Sequence, residues 1–177
     1  MALDRSQRFC MLVLGATCAL AATPNSLLGQ TWDGGGADNN WTTPGNWNPD
    51  VAPANNGTAN IIFAGATDLF VGVDVAQDIL SLTFDNTTGF FNISGNTLTI
   101  RGGGVTNNDT GVKIFLTPIV VAADETWFTA SGPLSFAGSS ITNNFALVFN
   151  TVGGSCGIIA PISGSGSRAT GACRGSC

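Results

Sequence analysis

The sequence predicts an all-β chain folded as a right-handed parallel β-helix, which is a solenoid of short strands. From residue 60 onward, runs rich in Val, Ile, Phe and Thr are separated by Gly, Asn and Asp clusters about every 8 to 15 residues, as strands and turns are. Residues 81–84 (SLTF) and 97–100 (TLTI) alternate polar and apolar side chains, so each segment turns one face inward. No segment combines a helical period of about 3.6 residues with helix caps.

A parallel β-helix accounts for this pattern because its strands stack about 4.8 Å apart around one shared interior. Asn and Thr then occupy turns and side-chain ladders, and the near absence of Lys and Glu fits a chain with little helical surface. A β-sandwich of about seven to nine strands is the alternative, since it uses the same number of short strands.

An internal similarity also favours a stacked repeat. Residues 97–108 align with residues 133–144 at an offset of 36, which matches Leu98 with Leu134 and Gly102 with Gly138. Repeats in this range are typical of solenoids, in which each unit buries its apolar face only against its neighbours. The alignment favours repeat units 36 residues apart within a repeat region at 51–152; the alternative is chance similarity in a chain rich in Gly, Asn and Thr.

A cluster of tryptophans precedes the repeat region. Residues 31–47 (TWDGGGADNNWTTPGNW) contain Trp32, Trp41 and Trp47 among Gly, Asn, Asp and Thr. We expect residues 31–50 to form an N-terminal cap whose rings cover the open end of the first turn of the solenoid, because an uncovered end invites edge-to-edge association. The alternative is a stacking platform on which these three rings bind a glycan.

The first residues indicate export. Residues 1–8 are weakly basic, residues 9–22 are apolar, and the small residues around position 20 fit a signal-peptidase site. The apolar run is shorter than the roughly 20 residues that a membrane-spanning helix needs. The sequence therefore predicts a cleaved signal peptide at 1–22 and a linker at 23–30, with no membrane span in the secreted chain.

Charge and composition exclude several classes of function. The formal net charge is −5, there is no histidine, and Arg101 and Lys113 are the only basic residues between positions 31 and 155. Binding to nucleic-acid backbones or anionic lipids therefore has no electrostatic basis. Without histidine, Ser-His and Cys-His nucleophile activation is impossible. We expect no enzyme activity and no cofactor.

Acidic residues offer weak alternatives to this expectation. Asp124 and Glu125 are the only adjacent carboxylates and could serve a glycosidase, but a turn between strands explains them more simply. Asp33 and Asp38 lie in a Gly-rich loop that offers oxygen ligands for calcium. Asn and Asp are also the ordinary residues of turns, and we therefore expect no metal site.

The last segment differs from the rest of the chain. Residues 153–177 contain Cys156, Cys173 and Cys177, whose spacing does not fit a zinc site. Residues 167–177 (SRATGACRGSC) have no apolar alternation. We expect an irregular, disordered tail, as either the product of a truncated or frameshifted gene end or the end of a short secreted protein.

Several of these motifs carry a family resemblance. These motifs resemble the first repeats of bacterial autotransporter-associated β-strand repeat proteins. They are the opening WDGGG at 32–36, the NW pairs at 40–41 and 46–47, and the segments 80–85 (LSLTFD), 93–100 (ISGNTLTI), 141–144 (ITNN) and 161–166 (PISGSG). The resemblance implies an exported, β-helical passenger that is structural or adhesive and not catalytic. It also implies a location outside the cell or on its outer surface, with polysaccharide or matrix as the partner.

Overall fold

The computed structural model describes residues 29–67, 69–86, 89–138, 140–170 and 173–175. The predicted signal peptide and residues 23–28 of the predicted linker lie outside the described residues. Within the described ranges there is no α-helix and one 3₁₀ turn, at Pro44–Asn46. The described residues therefore contain no helix that is long and apolar enough to cross a membrane. The strands of the described chain are β1 (Gln30–Trp32), β2 (Trp47–Asn48), β3 (Asn60–Phe63), β4 (Phe70–Val73), β5 (Gln77–Phe84), β6 (Phe91–Gly95), β7 (Leu98–Asn107), β8 (Lys113–Phe115), β9 (Ile119–Val121), β10 (Glu125–Thr129), β11 (Leu134–Phe136), β12 (Ile141–Asn143), β13 (Leu147–Thr151), β14 (Cys156–Ile158), β15 (Ile162–Ser163), β16 (Arg168–Thr170) and β17 (Cys173–Gly175).

These strands stack in three columns. The first column contains the start of β5 and of β7, followed by β9, β12 and β15. The second contains β1, β3, the ends of β5 and β7, and then β10, β13 and β16. The third contains β4, β6, β8, β11, β14 and β17. All of these pairings are parallel, and only β2 pairs antiparallel, with β1. The predicted parallel β-helix is therefore confirmed, with about five turns.

The structural period is shorter than the sequence similarity predicted. Phe63 pairs with Phe84, 21 positions later, and Val71 pairs with Ile93, 22 positions later. The predicted period of 36 residues is wrong: Leu98 pairs with Ile119 in the first column, whereas Leu134 lies in the third column and pairs with Lys113. Both segments alternate Leu with Ser or Thr because both are half-buried strands, and this pattern does not record which column a strand joins.

Alternating side chains from all three columns fill one interior. In β5 the inward residues Gln77, Ile79, Leu82 and Phe84 are buried, and their neighbours are less so. Aromatic rings stack from turn to turn, with centroids 5.2 Å apart for Phe63 and Phe84 and 4.9 Å apart for Phe115 and Phe136. Burial of each such ring contributes about 1.5–3 kcal/mol, so the inward stripe is the main source of stability.

The predicted disordered tail also differs from the structure. Four strands, β14 to β17, fall in residues 153–177 and extend the three columns. Backbone hydrogen bonds join them to the preceding turn, for example from Leu134 N to Ser155 O at 2.9 Å and from Ile159 N to Phe136 O at 2.9 Å. The prediction of disorder is wrong for the described part of this segment. The preceding turn of the solenoid presents backbone N–H and C=O groups that need hydrogen-bond partners, and even a Gly-rich segment can supply them by forming parallel strands.

Candidate functional site

The three clustered tryptophans close one end of the core. Trp32, Trp41 and Trp47 are each 0% exposed. The ring centroids of Trp32 and Trp41 both lie 5.1 Å from that of Trp47 in edge-on geometry, and Phe63 lies beneath the group at 6.1–6.3 Å. The indole Nε1 of Trp47 donates a hydrogen bond to the backbone oxygen of Trp41 at 2.7 Å. The rings thus form the last apolar layer of the solenoid.

Asn46 holds the loop that carries these rings. Its side chain is completely buried, and its Nδ2 donates to the backbone oxygens of Asp38 at 2.8 Å and Asn40 at 2.9 Å. Its Oδ1 accepts a hydrogen bond from the Gly36 N–H at 2.9 Å. A Cβ at Gly36 would lie 2.5 Å from this oxygen, so the loop needs a glycine there. One buried amide therefore fixes three points of the loop.

The cap also covers the third column. Trp41 N donates to Gly72 O at 2.8 Å, and Gly72 N donates to Asn39 O at 2.8 Å, so the loop adds a partial turn above β4. On the second column, the two-residue strand β2 covers the free edge of β1. A strand this short leaves little backbone for another chain to pair with.

The glycan platform predicted on Trp32, Trp41 and Trp47 has no geometric support. Stacking against a sugar needs an exposed ring face, and all three rings are fully buried. The physical reason is that three indoles beside an open apolar core gain more from covering it than from facing water. The sequence cluster therefore occupies the cap position, which was its first interpretation.

A shallow groove lies at the corner between the first and second columns. It encloses about 300 Å³ and is lined by Gly102, Gly103, Asp124, Glu125, Thr126, Ala146 and Val148. The groove exists because the glycines at the centre of β7 present no side chains to fill it. Its lining includes Asp124 and Glu125, the only adjacent acidic residues of the sequence.

Glu125 points away from this groove and into the core. It is 4% exposed and occupies an inward position of β10, one alternation before Trp127. Trp127 Nε1 donates to its Oε2 at 2.6 Å, whereas its Oε1 has no hydrogen-bond partner. Burial raises the pKa of Glu125 to about 8. At neutral pH this side chain is a protonated, uncharged acid.

Asp124 points the other way. It is exposed, and its Oδ1 accepts a hydrogen bond from Ala146 N at 2.9 Å, which links one turn to the next. A glycosidase needs two carboxyl groups on either side of one bond. Consecutive residues at the start of a strand face opposite sides of the sheet, so Asp124 and Glu125 do not meet this requirement.

A second buried polar pair, Asp109 and Lys113, was not anticipated from the sequence. Lys113 begins β8 and is 0% exposed; its register neighbours in the third column are Phe91 and Leu134. Its Nζ lies 2.6 Å from Asp109 Oδ2. The sequence did contain a sign that Lys113 is buried: the alternation of Lys, Ile and Phe at 113–115 places Lys113 on the same strand face as Phe115.

The pair is buried, and part of its surroundings is aromatic. Lys113 Nζ also donates to the backbone oxygen of Gly89 and lies 5.5 Å from the centre of the Phe84 ring. Burial lowers the pKa of Lys113. Burial alone would raise the pKa of Asp109, but hydrogen bonds from Lys113 and from the backbone of Gly111 outweigh it, and that pKa is lowered.

The acidic loop residues considered as calcium ligands serve as turn caps. Asp33 Oδ1 accepts a hydrogen bond from Gly35 N at 3.1 Å, and Asp38 Oδ1 accepts from Asn40 N at 3.1 Å and from the Thr43 hydroxyl at 2.6 Å. The hydroxyl of Thr43 is the main reason that the pKa of Asp38 is lowered. Across the residues that the structure describes, no three His, Cys, Asp or Glu side chains are grouped so that they could hold a metal ion.

No protein-family model, curated protein or solved structure matches this chain. The resemblance to autotransporter-associated repeat proteins therefore depends on the quoted motifs alone, and the site must be interpreted from its own geometry.

Proposed function

We propose that this chain is a non-enzymatic structural or adhesive module of an exported bacterial β-repeat protein, similar to the N-terminal part of an autotransporter passenger. The observation that carries the proposal is the continuous parallel stack, closed at one end by Trp32, Trp41 and Trp47. A capped solenoid presents long, flat faces and directs further stacking away from its cap. Such a shape suits a surface or extracellular location.

One of these faces has the chemistry of a contact surface. The outward positions of β4, β6, β8, β11 and β14 in the third column are Phe70, Asn92, Ile114, Ser135 and Gly157 in register, and these five are uncharged; the next register position, in β17, is Arg174. Phe70 is 60% exposed, and Leu116 and Ile159, which directly follow β8 and β14, are 42% and 79% exposed. We call Phe70, Leu116 and Ile159 the third-column face. Exposed apolar groups gathered on one side are typical of interaction surfaces.

The non-enzymatic part of the proposal rests on the acidic residues. Glu125 is buried and protonated at neutral pH, and Asp124 is a link between turns. Glu125 faces the core, so the two carboxyl groups are not opposed across a ligand in the corner groove, as a glycosidase requires. The partner proposed is a neutral polysaccharide or a matrix component, because a chain of net charge −5 with few basic residues has little attraction for polyanions.

A secreted carbohydrate-binding module using Trp32, Trp41 and Trp47 is the alternative drawn from the sequence. It would require the cap to open, because the rings are inaccessible in the closed form. Quenching of tryptophan fluorescence by a polysaccharide would favour this alternative over the adhesive module.

Bead adhesion tests the proposal. Beads coated with the purified chain should adhere to immobilised extracellular polysaccharide or matrix, and the variant Phe70→Ser/Leu116→Ser/Ile159→Ser should lower adhesion about threefold or more. The matched control is Val51→Ser/Val75→Ser/Val152→Ser, which removes three apolar side chains that are 47–74% exposed outside the third-column face. Equal adhesion of wild-type beads and albumin-coated beads would overturn the proposal.

A further inference from the structure

Lys113 is the least expected residue of the core. The chain has a single lysine, and that lysine is fully buried among apolar neighbours. Removing an ammonium and a carboxylate from water costs several kcal/mol per ion, and their attraction offsets this only when the geometry is very good. A hydrophobic residue at this position would fill the same column without that penalty.

The contacts of the pair bring a nucleophile against an electrophile. Lys113 Nζ is 2.6 Å from Asp109 Oδ2, and the Gly111 N–H donates to the same oxygen at 3.0 Å. The backbone oxygen of Gly89 accepts a second hydrogen bond from Nζ and holds the amine in place. Reacting groups held in contact in this way gain the rate advantage of an intramolecular reaction. The Gly111 N–H fixes the position of Oδ2, the oxygen that takes the proton from Nζ and leaves.

We propose that Lys113 and Asp109 form an intramolecular isopeptide bond between Nζ and Cγ. A proton first passes from the ammonium to the Asp109 carboxylate, which gives a neutral amine and a neutral acid. The nitrogen lone pair then adds to Cγ, the bond from Cγ to the protonated oxygen breaks, and this oxygen leaves as water with one proton from the nitrogen. The net change is the loss of one water, with no other reactant.

Burial favours the neutral amine and the uncharged product, whereas the hydrogen bonds on Asp109 oppose its protonation. Burial lowers the pKa of Lys113, so the neutral amine is more accessible here than in water. The amide that forms carries no charge, so it removes the desolvation penalty of the ion pair while keeping one N–H for the oxygen of Gly89. The product closes a covalent ring over residues 109–113, at the turn between the second and third columns. This bond would make the turn resistant to unfolding and proteolysis, whether or not the chain is adhesive.

Intact-mass measurement of the full, reduced and denatured chain is the first test. The isopeptide predicts a mass about 18 Da below that of the sequence, which is one water. An aspartate cyclised onto its own backbone loses the same mass, so a second readout is required. Digestion with a lysine-specific protease provides it, because an unmodified Lys113 in the denatured chain is the single cleavage site and an amide at Nζ removes that site.

The expected result is a wild-type chain that lacks one water and stays uncut. The variant Asp109→Ala should have its full sequence mass and be cut after residue 113, and Lys113→Met should have its full sequence mass. Both readouts are made on denatured protein, so they apply even to a variant that folds poorly. A wild-type chain of full mass, or one that is 18 Da lighter but is cut completely after Lys113, would overturn the proposal.

Discussion

Asn46, Lys113 and Glu125 are three of the polar side chains that are buried with the apolar core. Asn46 makes three hydrogen bonds within the cap loop, and Lys113 contacts Asp109, so both have partners for their polar groups. Glu125 accepts a hydrogen bond from Trp127 on Oε2, and its Oε1 is unpartnered. An unpartnered buried oxygen destabilises the fold by about 1–3 kcal/mol, which makes Glu125 the most sensitive of the three to a change of charge.

Glu125 should make the chain less stable as the pH rises. In the unfolded chain its pKa is near 4.5, the ordinary value of a glutamate, whereas in the folded chain it is about 8. The folded state therefore binds more protons between these values. Stability from this group is complete below about pH 4.5, declines as the pH rises and is lost above about pH 8, for a total of several kcal/mol. Denaturant unfolding at a series of pH values measures it.

Glu125→Gln is the control for this prediction. The amide keeps an acceptor for Trp127 Nε1 and cannot ionise, so the decline between these pH values should disappear. A wild-type chain whose unfolding free energy follows that of Glu125→Gln across this range would show that Glu125 is not held protonated.

Asn46→Ala should destabilise the cap. The substitution removes three hydrogen bonds at about 1 kcal/mol each and leaves the Gly36 N–H without its acceptor, so we expect a loss of roughly 2–4 kcal/mol. Asn48→Ala is the matched control, because Asn48 is an exposed asparagine two residues away. Similar losses for the two variants, measured by urea unfolding, would contradict the role given to Asn46.

At the level of structural elements, the cap and the strands have separate requirements. The strands need only inward apolar residues and backbone pairing to a neighbouring turn, as β14 to β17 show within a Gly-rich sequence. Within the described residues no turn stacks beyond the cap, and its three indoles cover Phe63. Large aromatic residues are therefore concentrated at this end.

Trp41→Ala tests the cap as an element. Truncation of a fully buried tryptophan costs about 3–5 kcal/mol and opens the first turn to water. Phe70→Ala is the control, because Phe70 is a large aromatic residue that is 60% exposed on the outer face. Thermal unfolding should show a large loss for Trp41→Ala and a small one for Phe70→Ala, and the reverse order would show that the cap is not part of the stable core.

The described part of the chain is a one-dimensional stack, in which the parallel strands pair with strands of the turn before and the turn after. Stability in such proteins is approximately a sum of terms for each turn and each interface between neighbours. Each turn in the middle of the solenoid packs against two neighbouring turns. The first turn has one neighbouring turn, and the tryptophan cap takes the place of the other. Expressed as these 177 residues, the chain should be least stable in its last described strands, which the structure stacks on one neighbour.

Hydrogen exchange measures this gradient. Amides of β5 to β11 should be the most protected, and protection should decline through β15 to β17, because local opening there breaks fewer pairings. Exchange followed by mass spectrometry on peptides from each turn gives the profile. Equal protection in all turns would indicate one cooperative unit, contrary to this prediction.

Residue patterns predicted part of this architecture. Alternation correctly marked inward residues such as Leu82 and Phe84, and the position of the tryptophans before the first repeat indicated a cap. The period of 36 was wrong because Leu98 and Leu134 share a pattern but lie in different columns. The corner groove and the Asp109–Lys113 contact could not be predicted, because each joins residues whose proximity depends on how the turns bend.

The sequence by itself determined that the chain is an all-β solenoid with an apolar interior, since strand alternation is a local property that each segment carries. Only the tertiary structure decided the length of a turn, the burial of Trp32, Trp41 and Trp47, and the inward direction of Glu125 and Lys113. The physical reason is that a parallel stack derives its register from pairings about 21 residues apart. Those pairings, not local preference, determine which side chains meet.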